Sequence, residues 1–331
     1  MKYAPVVIPT LNRFQHLKRC LESLEYNKLF LYTEIYISLD YPPSEKYIEG
    51  YKKVKGLLHN KCNKYKNIHV ITQTINLGAF NNCDKLQQIV FEKYNYDSII
   101  VLEDDVQLSP NFLEYCNVLL DKYKNNEDIV GICGSSQVWY GENFKDEYNK
   151  NHKDVIRLMP LVWHGFATWK KNYYEIKKLC ENKYFENIKY NFFNLLKLRK
   201  KSLCFFYCYI DRVCWSKAQL PWYNNKIVPI DMTWDIYMMV NDKYVIYPVI
   251  NKVLDLGMDG TGVNFTSASD NMNKISHMHI DDANDFILDS NDLCIDMSEV
   301  KKHDKYTEYN LYYIRFKVLI KLLLSYFIKK E

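Results

Sequence analysis

The sequence of 331 residues lacks the signatures of several large protein classes. It contains no GxGxxG fingerprint and no Walker-type lysine loop, which disfavours dinucleotide-dependent dehydrogenases and P-loop enzymes. It contains no run of about eighteen apolar residues, so we expect no segment to span a membrane. We also expect no signal peptide, because the opening MKYAPVVIPT leads directly into a short apolar strand.

Strong charge and paired cysteine motifs are also missing. The net charge of +4 is too small to predict a nucleic acid partner. The ten cysteines include no CxxC pair, and several, such as Cys116 and Cys133, occupy apolar positions of predicted elements. We interpret the cysteines as reduced core residues of a cytosolic protein. A hydrophobic content of 48% is sufficient for a complete core.

What the sequence does contain is a regular alternation of strands and helices. Strands are predicted at residues 4–8, 34–39, 68–72, 99–102 and 129–134. Helical spacing separates them; Phe14, Leu17, Leu21 and Leu24 fall on one helix face, with Asn12 as the predicted N-cap. This alternation predicts a parallel sheet with helices on both faces.

The most informative stretch is SIIVLEDDVQLSP, residues 98–110. Its apolar residues predict a strand buried on both faces, and the acids Glu103, Asp104 and Asp105 follow at once. A helix signal begins at Pro110, so the acids are predicted to lie on a strand-to-helix turn. Ligands of open α/β sheets bind beyond the carboxyl ends of strands, and clustered carboxylates there suit a divalent cation shared with substrate phosphates. A solvated acidic turn is the alternative.

Four motifs together resemble a known family. VVIPTLNRFQHLKRCLESL, ISLD, NLGAF and VLEDDVQLSPNFLEY occur in the order found in the nucleotide-sugar half of GT-A glycosyltransferases. The likeness is to the N-acetylglucosaminyltransferase I type and to bacterial surface-polysaccharide glycosyltransferases, and it covers residues 4–136. The resemblance implies an α/β fold: a Rossmann-like mixed, mainly parallel sheet flanked by helices, with a helical acceptor-side insertion at about 172–226 and a C-terminal helix.

The resemblance also implies a division of the chain. Residues 1–136 would form the nucleotide-sugar-binding half, residues 137–290 the acceptor-binding and catalytic half, and residues 291–331 a C-terminal helical tail. The tail is rich in apolar residues with interspersed lysines, which is typical of a basic helix lying on a membrane surface. Docking of the tail on the core or on a second subunit is the alternative.

Roles for individual residues follow from the same resemblance. Asp105 would bind a divalent metal, Mn²⁺ or Mg²⁺, and Glu103 and Asp104 would lie near the ribose and the diphosphate. A bound cation would offset the charge that develops on the departing diphosphate. The other nucleotide-sugar contacts would be Pro9, Thr10, Arg13, Asp40, Asn76 and Gly78. A surface salt bridge is the alternative for Arg13, and a helix cap is the alternative for Asp40.

Aromatic residues mark the second half. The segment LVWHGFATWKK resembles the WGWATW-type segment of bacterial glycosyltransferases, with His164 in place of a glycine. Trp163 and His164 are predicted to contact sugar or acceptor, because aromatic faces pack against the apolar faces of pyranose rings. Core packing is the alternative for the aromatic residues, and a simple hydrogen-bonded position is the alternative for His164.

Two later segments, DMTWDIY and LGMDGTG, resemble the acceptor half of the same enzymes. By that match Asp235 would be the catalytic base that takes the proton of the attacking hydroxyl. Asp231 and Asp211 are rival candidates for the base. Trp234 and Asp259 are predicted sugar or acceptor contacts, and the glycine-rich loop around Asp259 is predicted to close over the donor, with a tight turn between strands as the alternative.

These patterns predict a metal-dependent, inverting glycosyltransferase that moves a sugar from a UDP-linked donor to a hydroxyl of a bacterial surface glycan or lipid-linked oligosaccharide. We expect a cytoplasmic protein, peripheral on the inner face of the membrane. One alternative is a sugar-phosphate nucleotidyltransferase, which should carry a GxGxR-type loop where this chain has PTLNR. A non-catalytic glycan-binding protein of the same fold is another alternative function. Retaining chemistry is the alternative to inversion. His277 and His279 are further candidates for metal ligands.

Overall fold

The computed structural model describes residues 2–135, 155–158, 161–180, 234, 237–238, 240–257, 259, 279–288 and 320. The strands are β1 Val6–Thr10, β2 Ile35–Leu39, β3 Ile68–Thr72, β4 Ser98–Val101, β5 Val106–Leu108, β6 Ile129–Cys133, β7 Val155–Leu158, β8 Phe166–Trp169, β9 Tyr244–Pro248 and β10 Val253–Asp255. The helices are α1 Phe14–Glu25, α2 Ile48–Lys64, α3 Gly78–Glu92, α4 Phe112–Tyr123 and α5 Lys170–Cys180.

Eight strands form one sheet, in the order β3-β2-β1-β4-β8-β6-β9-β7. The pairs β2–β3, β1–β2, β1–β4 and β6–β9 are parallel, whereas β8 runs antiparallel to β4 and β6, and β7 runs antiparallel to β9. The predicted mixed, mainly parallel sheet is therefore confirmed. The sheet takes strands from both sides of residue 136, and the domain boundaries drawn from the sequence remain a prediction.

The hydrophobic core lies on both faces of this sheet. In β1, Val6 and Ile8 join a cluster that contains residues of α1, α2 and α4, whereas Val7 joins a cluster on the other face with residues of α3 and α5. Strand β4 is divided in the same way, because Ile100 belongs to the first cluster and Ile99 to the second. This is the alternation expected of a sheet covered by helices on both faces.

Two local predictions are wrong. The N-cap position of α1 is Arg13 and carries no side-chain cap hydrogen bond, so Asn12 is not the cap. The carbonyl oxygen of Asn12 instead accepts a hydrogen bond from Phe14 N at 3.0 Å, and Asn12 packs closely against Gly50. The acids are also not followed directly by a helix, because β5 intervenes and α4 begins at Phe112.

Strand β5 matters for the site because it brings a distant segment to the acids. It pairs antiparallel with β10, with Val106 opposite Asp255, and Leu256 N donates to the carbonyl of Asp105 at 2.8 Å. Gly165 has a φ of +68°, and a Cβ there would lie 2.6 Å from Val253 Cγ2, so a glycine lets β10 approach this closely.

Free thiols are found at Cys20, Cys62, Cys83, Cys116 and Cys133; Cys20, Cys116 and Cys133 are buried, as predicted for core residues, whereas Cys62 and Cys83 are half-buried. Within the described ranges, no helix combines the length and the apolar character needed to cross a bilayer. The insertion beyond residue 180, the tail at 306–330 apart from residue 320, and Asp211, Asp231, Asp235 and His277 lie outside the described residues.

Candidate active site

The site lies where the sheet order reverses. Strands β1 and β4 are parallel neighbours, but the chain turns from β1 toward β2 and β3 before it returns to β4. Such a switch point leaves a crevice outside the carboxyl ends of the two strands. Thr10 ends β1 after Pro9, and Thr10 Oγ1 donates a hydrogen bond of 2.6 Å to Asp104 Oδ2. The PTLNR and EDD motifs therefore meet in this crevice.

Arg13 connects α1 to the acids and to the glycine-rich segment. Its guanidinium forms an ion pair with Asp105 Oδ2, and Nη2 lies 3.6 Å from Asp259 Oδ1. His16, one helical turn further on, places Nε2 3.0 Å from Asp259 Oδ2 and 3.1 Å from Arg13 Nη2. Asp259, predicted as a sugar or acceptor contact, is thus held by α1 in this structure. His16 was not predicted; its spacing from Arg13 is the signal that marks it.

The acids destabilise one another's charge. Burial raises the pKa of Asp105 to about 7, and the neighbouring Glu103 and Asp104 add to the rise, while Arg13 opposes it. Burial also raises the pKa of Asp104 to about 6, against the hydrogen bond from Thr10. Excess negative charge in a partly buried crevice is the environment that a bound cation would stabilise.

The donor atoms of Asp105 fit such a cation. Its Oδ1 is buried and has no hydrogen-bond partner among the described residues. The described residues contain no preformed group of three or more metal-binding side chains. A single carboxylate with an unpartnered oxygen suits Mg²⁺ or Mn²⁺, which can take its other ligands from water and substrate phosphates. Asp105 would therefore hold the metal that the resemblance implies.

His164 lies between two carboxylates. Its Nδ1 is 3.0 Å from Glu103 Oε2, and its Nε2 is 3.6 Å from Asp255 Oδ2. Burial lowers the pKa of His164, but the hydrogen bond and charge of Glu103, together with the charges of Asp255 and Asp105, raise it to about 9. His164 is therefore a cation at neutral pH. Asp255 was missed from the sequence, because only the pairing of β10 with β5 brings it here.

The predicted residues at the end of β2 form a second group. Asp40 Oδ1 accepts a hydrogen bond from Leu77 N, and Oδ2 accepts one from Gly78 N, each at 2.9 Å, while Asn76 Nδ2 lies 3.2 Å from Oδ2. This is the helix-cap alternative, since these groups lead into α3. Asp40 N also donates to Thr10 O at 2.9 Å, so the group adjoins the crevice. Nucleotide contacts by Asp40, Asn76 and Gly78 remain predictions.

The two predicted tryptophans pack beneath the crevice. Trp163 and Trp234 meet edge to face with ring centroids 6.0 Å apart, and both contact Phe166. Trp234 is only 1% exposed, which matches the core-packing alternative. Sugar contacts by these rings remain predictions. The backbone that carries Trp234 also carries Asp235, the next residue along the chain.

The mixed sheet and its acidic crevice define an α/β protein with a candidate ligand site at the switch point. The family model described as Glycosyl transferase family 2 matches residues 6–203, which is more than half of the chain. The chain belongs to glycosyl transferase family 2. No curated protein matches it.

Solved structures of glycosyltransferases are similar over part of the chain. A structure of GalNAc-T7 with UDP, GalNAc and Mn²⁺ is 13% identical, with a TM-score of 0.39, and the match covers 53% of this chain and 37% of that one. TarS 1-349 from S. aureus is 17% identical, with a TM-score of 0.30 and coverage of 38% and 33%. PcManGT from Pyrobaculum calidifontis, a mannosyltransferase in complex with GDP-Man and Mn²⁺, is 10% identical, with a TM-score of 0.34 and coverage of 51% and 46%. The chain thus spans less than half the length of these three proteins.

Proposed function

We propose that this protein is a metal-dependent glycosyltransferase that transfers a sugar from a nucleotide-sugar, most simply a UDP-linked one, to a hydroxyl group. The observation that carries the proposal is the buried Asp105 oxygen without a partner, within an acidic cluster at the switch point of the sheet. Membership of glycosyl transferase family 2 supports the same activity.

The chain's own cations fit the charge balance of this reaction. Asp105 would hold Mn²⁺ or Mg²⁺, and the metal would stabilise the negative charge of the departing nucleoside diphosphate. Arg13 and His164 flank the acids and carry positive charge at neutral pH. They would position the diphosphate, and His164 would hold Glu103 in place beside it.

The acceptor side of the proposal rests on Asp235. An inverting transfer needs one carboxylate that takes the proton of the attacking hydroxyl, and Asp235 is the candidate, with Asp231 and Asp211 as rivals. The ring of Trp234, the residue before Asp235 in the sequence, is buried against Trp163. We propose that the acceptor is a bacterial surface glycan or a lipid-linked oligosaccharide, reached by a cytoplasmic protein whose basic tail contacts the membrane surface.

The test is a panel of UDP-, GDP- and TDP-linked sugars, offered with and without Mn²⁺, with release of nucleotide as the readout. We expect turnover of a UDP-sugar only with metal, and a loss of about a hundredfold or more in Asp105→Asn. Asp235→Asn should retain UDP binding but not transfer. Asp121→Asn is the matched control, because Asp121 is an exposed carboxylate on α4. Full turnover after chelation, or an active Asp105→Asn variant, would contradict the proposal.

A further inference from the structure

The guanidinium of Arg13 places a positive charge beside the acidic cluster of Glu103, Asp104 and Asp105. Among the described residues, it forms the ion pair to Asp105, the acid on which the proposed metal depends. The guanidinium contacts Oδ2 of this carboxylate, and Oδ1 is the oxygen left without a partner. A divalent ion on Oδ1 would therefore share one carboxylate with a guanidinium, and the two like charges would repel each other.

The position of Arg13 is held from more than one side. Asp259 contacts the same guanidinium from the segment after β10, and His16 lies beside it on α1. The side chains of Arg13 and Asp105 are only 18% and 14% exposed, so water screens this pair far less than it would a surface pair. Gly257 also packs against the Asp105 carboxylate, because a Cβ at Gly257 would lie 2.1 Å from Oδ2.

We propose that Arg13 is the internal counter-cation of the acidic crevice, and that it makes metal binding depend on the nucleotide. The inference rests on the proposed function, and it concerns the state before the donor arrives. Without nucleotide, Arg13 neutralises Asp105 and weakens the binding of a divalent ion. A nucleoside diphosphate would provide the guanidinium with a new anionic partner, because its planar fork forms bidentate hydrogen bonds with phosphate as well as with carboxylate.

Under this proposal, metal binding and nucleotide binding are coupled. If Arg13 leaves Asp105 when phosphate is present, the metal binds more tightly with nucleotide than without it, and the nucleotide binds more tightly with metal by the same factor. The apparent metal affinity of the nucleotide-free protein equals the intrinsic affinity multiplied by the fraction of molecules in which Arg13 does not occupy the carboxylate. Removing the guanidinium should therefore strengthen metal binding when no nucleotide is present.

The experiment measures Mn²⁺ binding through the electron paramagnetic resonance signal of free Mn²⁺, with and without UDP, on the full chain. Without UDP, Arg13→Gln should bind Mn²⁺ about tenfold more tightly than the wild type, and the enhancement by UDP should fall by a similar factor. Arg13→Lys keeps a charge beside Asp105 and should resemble the wild type without UDP. Arg19→Gln, an exposed arginine on the same helix, is the matched control.

The outcomes separate this inference from the proposed function. If Arg13→Gln binds Mn²⁺ no more tightly than the wild type in the absence of UDP, while UDP and Mn²⁺ still bind together to the wild type, the counter-cation role is overturned and the enzyme assignment stands. If the wild type binds no Mn²⁺ even with UDP, the metal site fails and both proposals fall with it. Thermal melting of each variant checks that it is folded.

Discussion

Among the described residues, the acidic crevice and the Lys252–Asp281 pair are both partly buried groups of charged side chains, and they differ in how well their charges are matched. At the switch point, Asp104 and Asp105 have raised pKa values, and one carboxylate oxygen has no partner in the described structure. Behind β10, Lys252 forms an ion pair with Asp281, whose side chain also accepts hydrogen bonds of 3.0 Å from Asn111 Nδ2 and from Ala283 N.

The second group, the Lys252–Asp281 pair, is fully matched. Although burial alone would raise the pKa of Asp281, the hydrogen bonds from Lys252 and Asn111 lower it. Both side chains are nearly inaccessible, at 6% and 11% exposure. The Lys252–Asp281 pair holds the 279–288 segment against the residue that precedes β10. The crevice has excess negative charge and is therefore suited to binding a cation. Three substitutions test this contrast.

The largest effect is expected from Lys252→Met, which leaves Asp281 buried without its cation. Loss of one partner of a buried pair destabilises a protein by about 3–5 kcal/mol. Urea unfolding should show this decrease in the free energy of unfolding. The double variant Lys252→Met/Asp281→Leu should recover most of the loss, and Lys28→Met, which breaks the exposed pair with Asp285, should change stability by less than about 1 kcal/mol. A Lys252→Met protein as stable as the wild type would show that the pair contributes little.

An intermediate effect is expected from Gly257→Ala, which acts only on the crevice. The added Cβ would overlap the Asp105 carboxylate and force the segment after β10 away from it. Overpacking of this kind costs about 1–3 kcal/mol, and here it should also weaken the proposed metal-dependent binding of UDP, measured by calorimetry. Gly56→Ala on α2, where an added Cβ meets nothing within 4 Å, is the control and should leave UDP binding unchanged. Equal UDP affinity in the two variants would contradict this account of Gly257.

The smallest effect is a pH dependence of stability that Asp105 contributes. Because its pKa is raised from 3.8 to about 7 in the folded protein, the folded state holds more protons than the unfolded state between these values. The contribution of Asp105 to stability is therefore present below about pH 4 and is lost as the pH rises through 7. Asp105→Asn removes this loss, so its stability relative to the wild type should increase between pH 5 and pH 8.

Thermal melting at the two pH values provides the measurement, with Asp121→Asn as the control. If the melting temperature of Asp105→Asn differs from that of the wild type by the same amount at both pH values, the pKa of Asp105 is not raised in the folded protein. Metal should suppress the difference, because a bound cation favours the ionised carboxylate.

Much of the fold could be predicted because the strands and helices show clear local hydrophobic patterns in the sequence. Strand β3 was predicted at its observed bounds, and β4 followed from an uninterrupted apolar run before the acids. The resemblance assigned the motifs after β1 and β4 to one nucleotide-sugar site, and the structure brings them together at the carboxyl ends of two neighbouring parallel strands. Short-range periodicity and the order of motifs were sufficient for both.

Contacts that depend on distant pairing could not be predicted. Strand β5 has only three residues, too few for a periodic signal, and its partner β10 lies more than a hundred residues away. Asp255 enters the site only through that pairing, and His16 enters it only because Asp259 reaches α1. The prediction of a helix cap at Asn12 was wrong because α1 begins one residue later, after Arg13 as N-cap. Asn12 lies in the preceding turn and packs against Gly50.

The position of β8 has a consequence for how the chain folds. It lies between β4 and β6 and pairs with both, although β4 ends at Val101 and β8 begins at Phe166. During synthesis, one edge of β4 therefore remains unpaired until β8, some sixty residues further along the chain, has been made. We expect a fragment that ends before Phe166 to aggregate, and the intact chain to gain its sheet late and as a single cooperative event.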